Sequence, residues 1–310
     1  MGVCGEFMSD YIARYYQMEM DSCLRILMEE SLAFEYAGGG VTPIPRRHTT
    51  GWRILPTLLV AQGKNGRFRI ETGNEGQTGM RETERNEAIL VLPGVRHQVE
   101  VISAGGVISR WSHVNFTVLG TVNILNLFEV PSVVNADIGE TLGQWNAEMT
   151  VAGTDLAGAL RAMAKRKALG YRLMAAILDV SRPAQTMPMF LGNTHRIADV
   201  LRFLKHHYTE PLDRDDLANL VHLSPARFHV VFHAAMRMAP MEYVKHLRLK
   251  RAQQLLVGTD LTVADVASQS GYSDPFHFSR QFRVSFGISP LAYRKSSHTW
   301  FAASPNKARQ

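Results

Sequence analysis

Two pairs of phenylalanines, Phe228/Phe232 and Phe278/Phe282, lie fifty residues apart in this chain, with the members of each pair four residues apart. In a helix that spacing puts both rings on one apolar face. The later pair sits in T-V-A-D-V-A-S-Q-S-G-Y-S-D-P-F-H-F-S-R-Q-F-R-V-S-F-G-I-S-P, from Thr262 to Pro290. A first short helix carries Val263, Val266 and Ala267, Gly271 supplies a turn, and a second helix carries the phenylalanines. His277, Arg280 and Gln281 are left off the seam. That is the layout of a helix-turn-helix, whose second helix can enter a major groove. The earlier pair repeats the rhythm between Leu212 and His233. Asp213 can cap its first helix with Asp216 three residues on. Ser224 and Pro225 start its second, because Ser accepts from an orphan N–H and Pro at the first helical position loses no bond. Between the copies, Met241 to Leu256 predicts an amphipathic helix with Tyr243, Val244, Leu247, Ala252 and Leu255 toward the core. Such a helix of roughly 15 residues is about 22 Å long. It could set two reading heads about one duplex turn (~34 Å) apart.

Residues about 195–297 resemble the DNA-binding domain of the AraC/XylS family of bacterial transcription regulators. The densest likeness runs from Ala264 to Arg294, A-D-V-A-S-Q-S-G-Y-S-D-P-F-H-F-S-R-Q-F-R-V-S-F-G-I-S-P-L-A-Y-R. It contains the family's G-(Y/F)-x-D-x-x-x-F-x-R-x-F-(K/R) core and its closing G-x-(S/T)-P-x-x-Y-R. The resemblance implies DNA contacts from Pro275, His277, Ser279, Arg280 and Arg283 in the second copy. In the first copy it implies them from Ala226, Arg227, His229, Val230 and His233. The base-reading positions of the first copy fall at Ala226, His229 and Val230, where no Arg or Lys stands. That copy is therefore left either reading bases or positioning the domain on phosphates.

Charge agrees with this division. From His195 onward there are 16 Lys and Arg against 9 Asp and Glu, a balance of +7, while the first 194 residues carry 18 against 19. All of the net +6 thus lies in the segment with the helical repeats, as suits a nucleic-acid-binding module beside a non-binding one. The two cysteines, Cys4 and Cys23, offer neither a disulfide framework nor a metal cluster, which suits a reducing cytosol. No apolar run approaches the ~20 residues of a membrane span, and the start lacks a signal-peptide pattern. The expected location is cytoplasmic. The first ~25 residues read either as a small added helix around Ile12 to Leu27 or as an overlong gene start, since Met8, Met18 and Met20 all follow, and the tail after Ser296 is expected to fray.

From about Gly51 the pattern changes to short apolar runs broken by turns. Ile54–Val60, Arg67–Ile70, Ala88–Leu92, His97–Ile102 and Val107–Val118 predict strands, with G-K-N-G, Pro93-Gly94 and Gly105-Gly106 between them. Short strands at this spacing argue for a sandwich or barrel. The stretch from Ile89 to His97, I-L-V-L-P-G-V-R-H, resembles an element of the cupin-like sensor domain in the same family. The expected fold class is therefore α+β: an N-terminal cupin-like β-barrel with flanking helices, and a C-terminal all-α domain with two helix-turn-helix motifs. The expected domains are 1–134 for the sensor, 135–181 for a helical covering segment, 182–194 for a linker, 195–297 for the DNA-binding domain and 298–310 for a tail. Helices are expected over Asn135–Glu148 and Thr154–Val180, the second with a stripe of Leu156, Leu160, Met163, Leu169, Leu173, Ile177 and Leu178. Pro183 and Pro188 predict that Arg182–Gly192 is not helical.

On the strand Val107–Val118, residues two apart share a face, so Trp111, His113, Asn115 and Thr117 lie together. An aromatic wall with hydrogen-bonding groups could hold a small organic effector, a saccharide by preference. Arg46, His48, Trp52 and His97 are further candidates. No H-x-H pair occurs in this half, so neither a metal site nor any other cofactor is expected, and no catalytic residue is assigned. A cupin-type enzyme with an appended helical domain is the competing function. The family resemblance further implies operator DNA and RNA polymerase as partners, activation of catabolic or transport genes, and a homodimer formed through the helices at 135–181.

Overall fold

The computed structural model describes residues 22–74 and 77–295. The Cys4 thiol, the expected helix before Ser22 and the tail beyond 295 lie outside the described residues. The chain divides into two compact units, Ser31–Met187 and a second formed by Pro188–Gln310 together with Met1–Glu30.

The first unit holds two antiparallel sheets. After helix α1 (Ser22–Ser31) come β1 (Ala33–Ile44), β2 (Arg53–Ile54), β3 (Leu58–Lys64), β4 (Phe68–Asn74), β5 (Gln77–Glu82), β6 (Ala88–Val91), β7 (Arg96–Val101), β8 (Val107–Val118), β9 (Val122–Asn123), β10 (Phe128–Glu129) and β11 (Val133–Val134). Helices α2 (Ala136–Met149) and α3 (Leu156–Asp179) follow, then β12 (Arg182–Pro183). One sheet has the order β1-β8-β3-β6-β11 with β9 on the end of β8; the other has the order β2-β7-β4-β5. The short β10 pairs with β12.

The expected barrel is not formed. Each sheet ends on strands that have a partner on one side only, and a barrel requires those edges to pair. The reason lies partly in the sequence: Pro56 divides the run read as one strand from Ile54 to Val60, leaving β2 with two residues. An edge strand that short cannot carry a ladder from one sheet to the next. Two open sheets pack instead around Leu59, Phe68, Ile70, Ile89, Val91, Val99 and Val101. The other face of the larger sheet is covered by α2 and α3 through Leu58, Val60, Phe116, Leu142, Leu173 and Ile177. This double covering is why β3 is buried from Leu58 to Gly63 without alternation. A buried polar network fastens α2 to the sheet. Arg110 donates to Gln62 Oε1 at 2.8 Å and to Glu140 Oε2 at 2.5 Å, and Asn146 donates to the carbonyls of Val60 and Arg110.

Strand β8 has the predicted bounds, and α2 starts after Asn135, whose side chain accepts from the Ile138 N–H. Strand β1 was not anticipated, and the three glycines Gly38–Gly40 interrupt its pattern of side chains. Its glycines make room: a Cβ on Gly40 would stand 3.2 Å from the Trp111 indole. In α3 the predicted stripe splits. Leu169, Leu173 and Ile177 are buried, while Leu156, Leu160 and Met163 are exposed.

The second unit is helical: α4 (Met187–Arg196), α5 (Ala198–His207), α6 (Arg214–Asn219), α7 (Pro225–Met236), α8 (Pro240–Gly258), α9 (Val263–Gln269), α10 (Pro275–Phe286) and a closing helical segment over residues 290–295. Helix α4 occupies much of the segment expected to be non-helical. Pro188 is its second residue, where the missing N–H would have had no partner anyway.

Candidate nucleic-acid interface and interior cavity

Each predicted helix-turn-helix is built by local signals. Asp213 accepts from the Asp216 N–H at 2.8 Å and starts α6. Ser224 accepts from the Arg227 N–H and Pro225 opens α7. In the second copy Thr262 and Asp265 form a reciprocal capping box at α9. Asp274 then accepts from the N–H groups of Phe276 and His277 at the start of α10. Gly271 makes the turn at φ +84°, and a Cβ there would stand 2.7 Å from the Thr209 carbonyl oxygen. Positive φ and this close backbone approach both demand glycine.

The phenylalanine pairs are the anchors. Phe228, Phe232, Phe278 and Phe282 are all fully buried. Ring centroids within the pairs are 5.5 and 5.7 Å apart, edge to face. Phe232 also meets Tyr243 of α8, and Phe282 meets Phe286 and Tyr293. Burial pushes the Tyr243 phenol well above its ordinary pKa. Helix α8 thus serves a different copy at each end. Tyr243 and Val244 are buried near its start, and Leu249, Ala252, Leu255 and Leu256 further along, where they join Phe278 and Phe282 in one core. Two buried faces replace the single predicted stripe, and Leu247 is only half-buried. Arg248, midway, donates to the carbonyls of Tyr208 and Glu210 at 2.7 Å and lies 6.0 Å from the Tyr272 ring. It ties the end of α5 and the second turn to one side chain.

With the phenylalanines inward, the opposite faces of α7 and α10 meet solvent. Ala226, Arg227, His229, Val230 and His233 are exposed on α7; His277, Arg280 and Arg283 are exposed on α10. Pro275 and Ser279 are half-buried. His277 lies 3.4 Å from the Gln281 amide nitrogen. Neither helix contains Asp or Glu, so each exposed face is basic or neutral. Sequence reasoning passed over Phe276 and Val284, which are 86% and 77% exposed on α10. The available signal was their position off the Phe278-Phe282-Phe286 seam. Such groups can contact thymine methyls while Arg280 or Arg283 meets guanine or phosphate.

In the first unit a cavity of about 170 Å³ opens between the sheets. Its lining includes Trp111 and His113 of β8, Arg53 of β2, and Leu59, Phe68 and Ile89. Trp111 and His113 therefore share the face predicted for them, with rings 5.3 Å apart. Asn115 does not line the cavity, and its Oδ1 is buried without a partner. His97 is fully buried and does not line it either; its Nδ1 donates to the Val95 carbonyl and its Nε2 accepts from Arg53. Arg46 and His48 are exposed and away from the lining, and Trp52 is covered on one face by Arg96 at 4.3 Å. Arg53 was missed because an arginine beside a tryptophan in a short edge strand carries no sequence signal of its own. Among the described residues no three His, Cys, Asp or Glu side chains gather as a metal ion would require. Among the same residues no helix is long and apolar enough to cross a membrane.

Comparison with known proteins agrees with the geometry of the second unit. Residues 217–296 match a family model described as a helix-turn-helix domain. The chain is 34% identical over 137 residues to the HTH-type transcriptional regulator GbdR of Pseudomonas aeruginosa, covering 41% of this chain and 37% of that protein. It is 27% identical over 125 residues to the Msm operon regulatory protein of Streptococcus mutans, covering 40% and 45%. It is 29% identical over 162 residues to the HTH-type transcriptional activator RhaS of Citrobacter koseri, covering 52% and 56%. The chain thus spans about half the length of the curated relatives it matches, or less. Among solved structures, the DNA-binding domain of AdpA in complex with a target DNA is 29% identical, covering 35% of this chain and 97% of that one, with a TM-score of 0.34.

Proposed function

We propose that the helical repeats over residues 195–297, of which 217–296 match a helix-turn-helix domain model, form a DNA-binding domain of the AraC/XylS type, and that the chain is a sequence-specific, ligand-responsive transcription regulator. The observation that carries the reading is the pair of helix-turn-helix units. Each has a buried phenylalanine seam and an acid-free exposed face, and both are held on one connecting helix. A helix so anchored can enter a major groove, with its outward residues against base edges. Contacts from Arg280, His277 and Arg283 would read the second half-site, with Ser279 and Pro275 at the helix start. Arg227, His229, Val230, Ala226 and His233 would meet the first, where the lack of Arg or Lys at the base-reading positions favours positioning over reading.

The first unit is the sensor in this reading, with Trp111 and His113 on the wall of its cavity. A ligand can shift such a protein only through different affinities for two states, so occupancy of the cavity would have to alter the DNA-binding form. Activation through contact with RNA polymerase, a homodimer through α2 and α3, and a cytoplasmic location complete the proposal. The exposed Leu156, Leu160 and Met163 suit the dimer. An enzyme is disfavoured, since the relatives named above are transcriptional regulators. Footprinting the full chain on the DNA upstream of its own gene and its neighbours tests the core of the reading. It expects two protected half-sites about one helical turn apart. Binding that shows no preference between that DNA and random duplex would rule it out.

A further inference from the structure

We infer that the cavity between the two sheets binds a small apolar monocarboxylate, with the Arg53 guanidinium as the partner of its carboxylate. The inference rests on the sensor reading above and narrows its ligand to one chemical class. The cavity, at about 170 Å³, is close to the size that accepts a benzene ring (~150 Å³). Most of its wall is apolar: Leu59, Phe68, Ile89 and Val99, with the Trp111 ring. A saccharide needs hydrogen-bond partners around its whole rim, and this wall offers few.

The charged part of the lining has one sign, and Thr50 and Ser109 add neutral hydroxyls. Arg53 sits opposite His97 in the β2–β7 register, and His113 faces the same space from β8. The Val95 carbonyl can only accept, so His97 Nδ1 carries the proton and its Nε2 takes the hydrogen bond from Arg53 Nε at 3.4 Å. His97 thereby positions the guanidinium while adding no negative charge. His113 Nδ1 lies 3.3 Å from the Thr57 hydroxyl. Among the described residues no Asp or Glu forms an ion pair with Arg53. A partly buried cation that lacks a counter-ion is costly, and an entering anion removes that cost. The neighbouring groups report the same imbalance. Burial holds the pKa of Arg53 down, and burial, then the charge of Arg53, holds His113 below the ordinary imidazole value. A carboxylate meets a guanidinium through two parallel bonds, and the apolar wall receives the rest of the molecule.

The test measures binding of benzoate and 3-methylbutanoate to the full chain by calorimetry, beside their primary amides and glucose. The amides match the acids in shape and lack the charge. The acids are expected to bind at least about tenfold more tightly than the amides. Arg53→Gln should abolish that preference by weakening the acids and sparing the amides, with the footprint unchanged. Arg53→Lys should keep part of it. Ala61→Phe, which fills the cavity, should block acids and amides alike. Equal binding of acid and amide, an unaltered preference in Arg53→Gln, or binding of glucose and no acid would overturn the assignment. So would the binding of no probe at all. In each case a persisting footprint leaves the DNA-binding reading standing, and only its loss removes that too. Should Arg53→Gln fail to fold, the acid–amide comparison on the unaltered chain and on Arg53→Lys decides.

Discussion

Arg280 is exposed on a helix whose other face is locked into the core by Phe278 and Phe282, so its position is set by packing rather than by its own contacts. A bidentate bond from a guanidinium to guanine is worth ~1–3 kcal/mol of discrimination. Arg280→Ala is therefore expected to weaken operator binding by about that amount and random-duplex binding by less. Titrations on both duplexes check it; equal losses would move Arg280 to the phosphate backbone. A second residue acts on stability. The hydrogen bond from Arg110 holds the Glu140 carboxyl below the usual carboxylate range. A depressed folded pKa adds stability above the unfolded value (~4.3) that is lost as pH falls through the folded one. Glu140 is about a third exposed, which moderates the effect. Glu140→Gln should cost roughly 1–2 kcal/mol at pH 7. The gap in Tm between the variant and the unaltered chain should close below about pH 4. A gap that stays constant from pH 7 to 3 would show that the ion pair contributes nothing.

Elements here owe their ends to single residues and their existence to the faces they bury. Helices α7 and α10 begin at Ser224 and Asp274 and persist because each turns two rings into a core. Phe232→Ala or Phe282→Ala is expected to cost ~3–5 kcal/mol through lost burial and the cavity left behind. Phe276→Ala, on the same helix and 86% exposed, should leave melting within about 0.5 kcal/mol and weaken DNA binding instead. Thermal melts of the three variants, paired with duplex titrations, separate the roles. Unchanged melting of Phe282→Ala would break the alignment of the two copies. Helix α8 shows where pattern reading fails: a helix that serves two cores at its two ends has no single apolar stripe.

For the whole molecule, the two compact units predict separable behaviour. A fragment starting at residue 184 begins after the Arg182–Pro183 pairing and before α4; it keeps α4 to α10 intact and leaves out only the Met1–Glu30 part of that unit. It should be soluble and bind DNA without any ligand. Its log affinity should fall linearly with log salt, with a slope of about −0.9 per phosphate neutralised. A folded fragment with no affinity for DNA at low salt would refute independent function in this unit. Cutting at residue 192, inside the stretch that the prolines suggested was open, should instead remove most of α4 with the buried Phe190 and lower the fragment's stability.

Local chemistry was legible from sequence: the phenylalanine spacing, the caps at Asp213 and Ser224, the Gly271 turn and the strand Val107–Val118. Each depends on residues within a few positions of one another, and the energies involved act over that range. Only tertiary structure decided the rest. Whether sheet edges meet is set by strand lengths and by packing between residues far apart in the chain, so an alternating pattern fits an open pair of sheets as well as a barrel. The same holds for the cavity. Arg53, His97 and His113 come from three strands and gain meaning only when the sheets bring them together. A side chain's charge is written in the sequence, but the lack of a partner for that charge is a property of the fold.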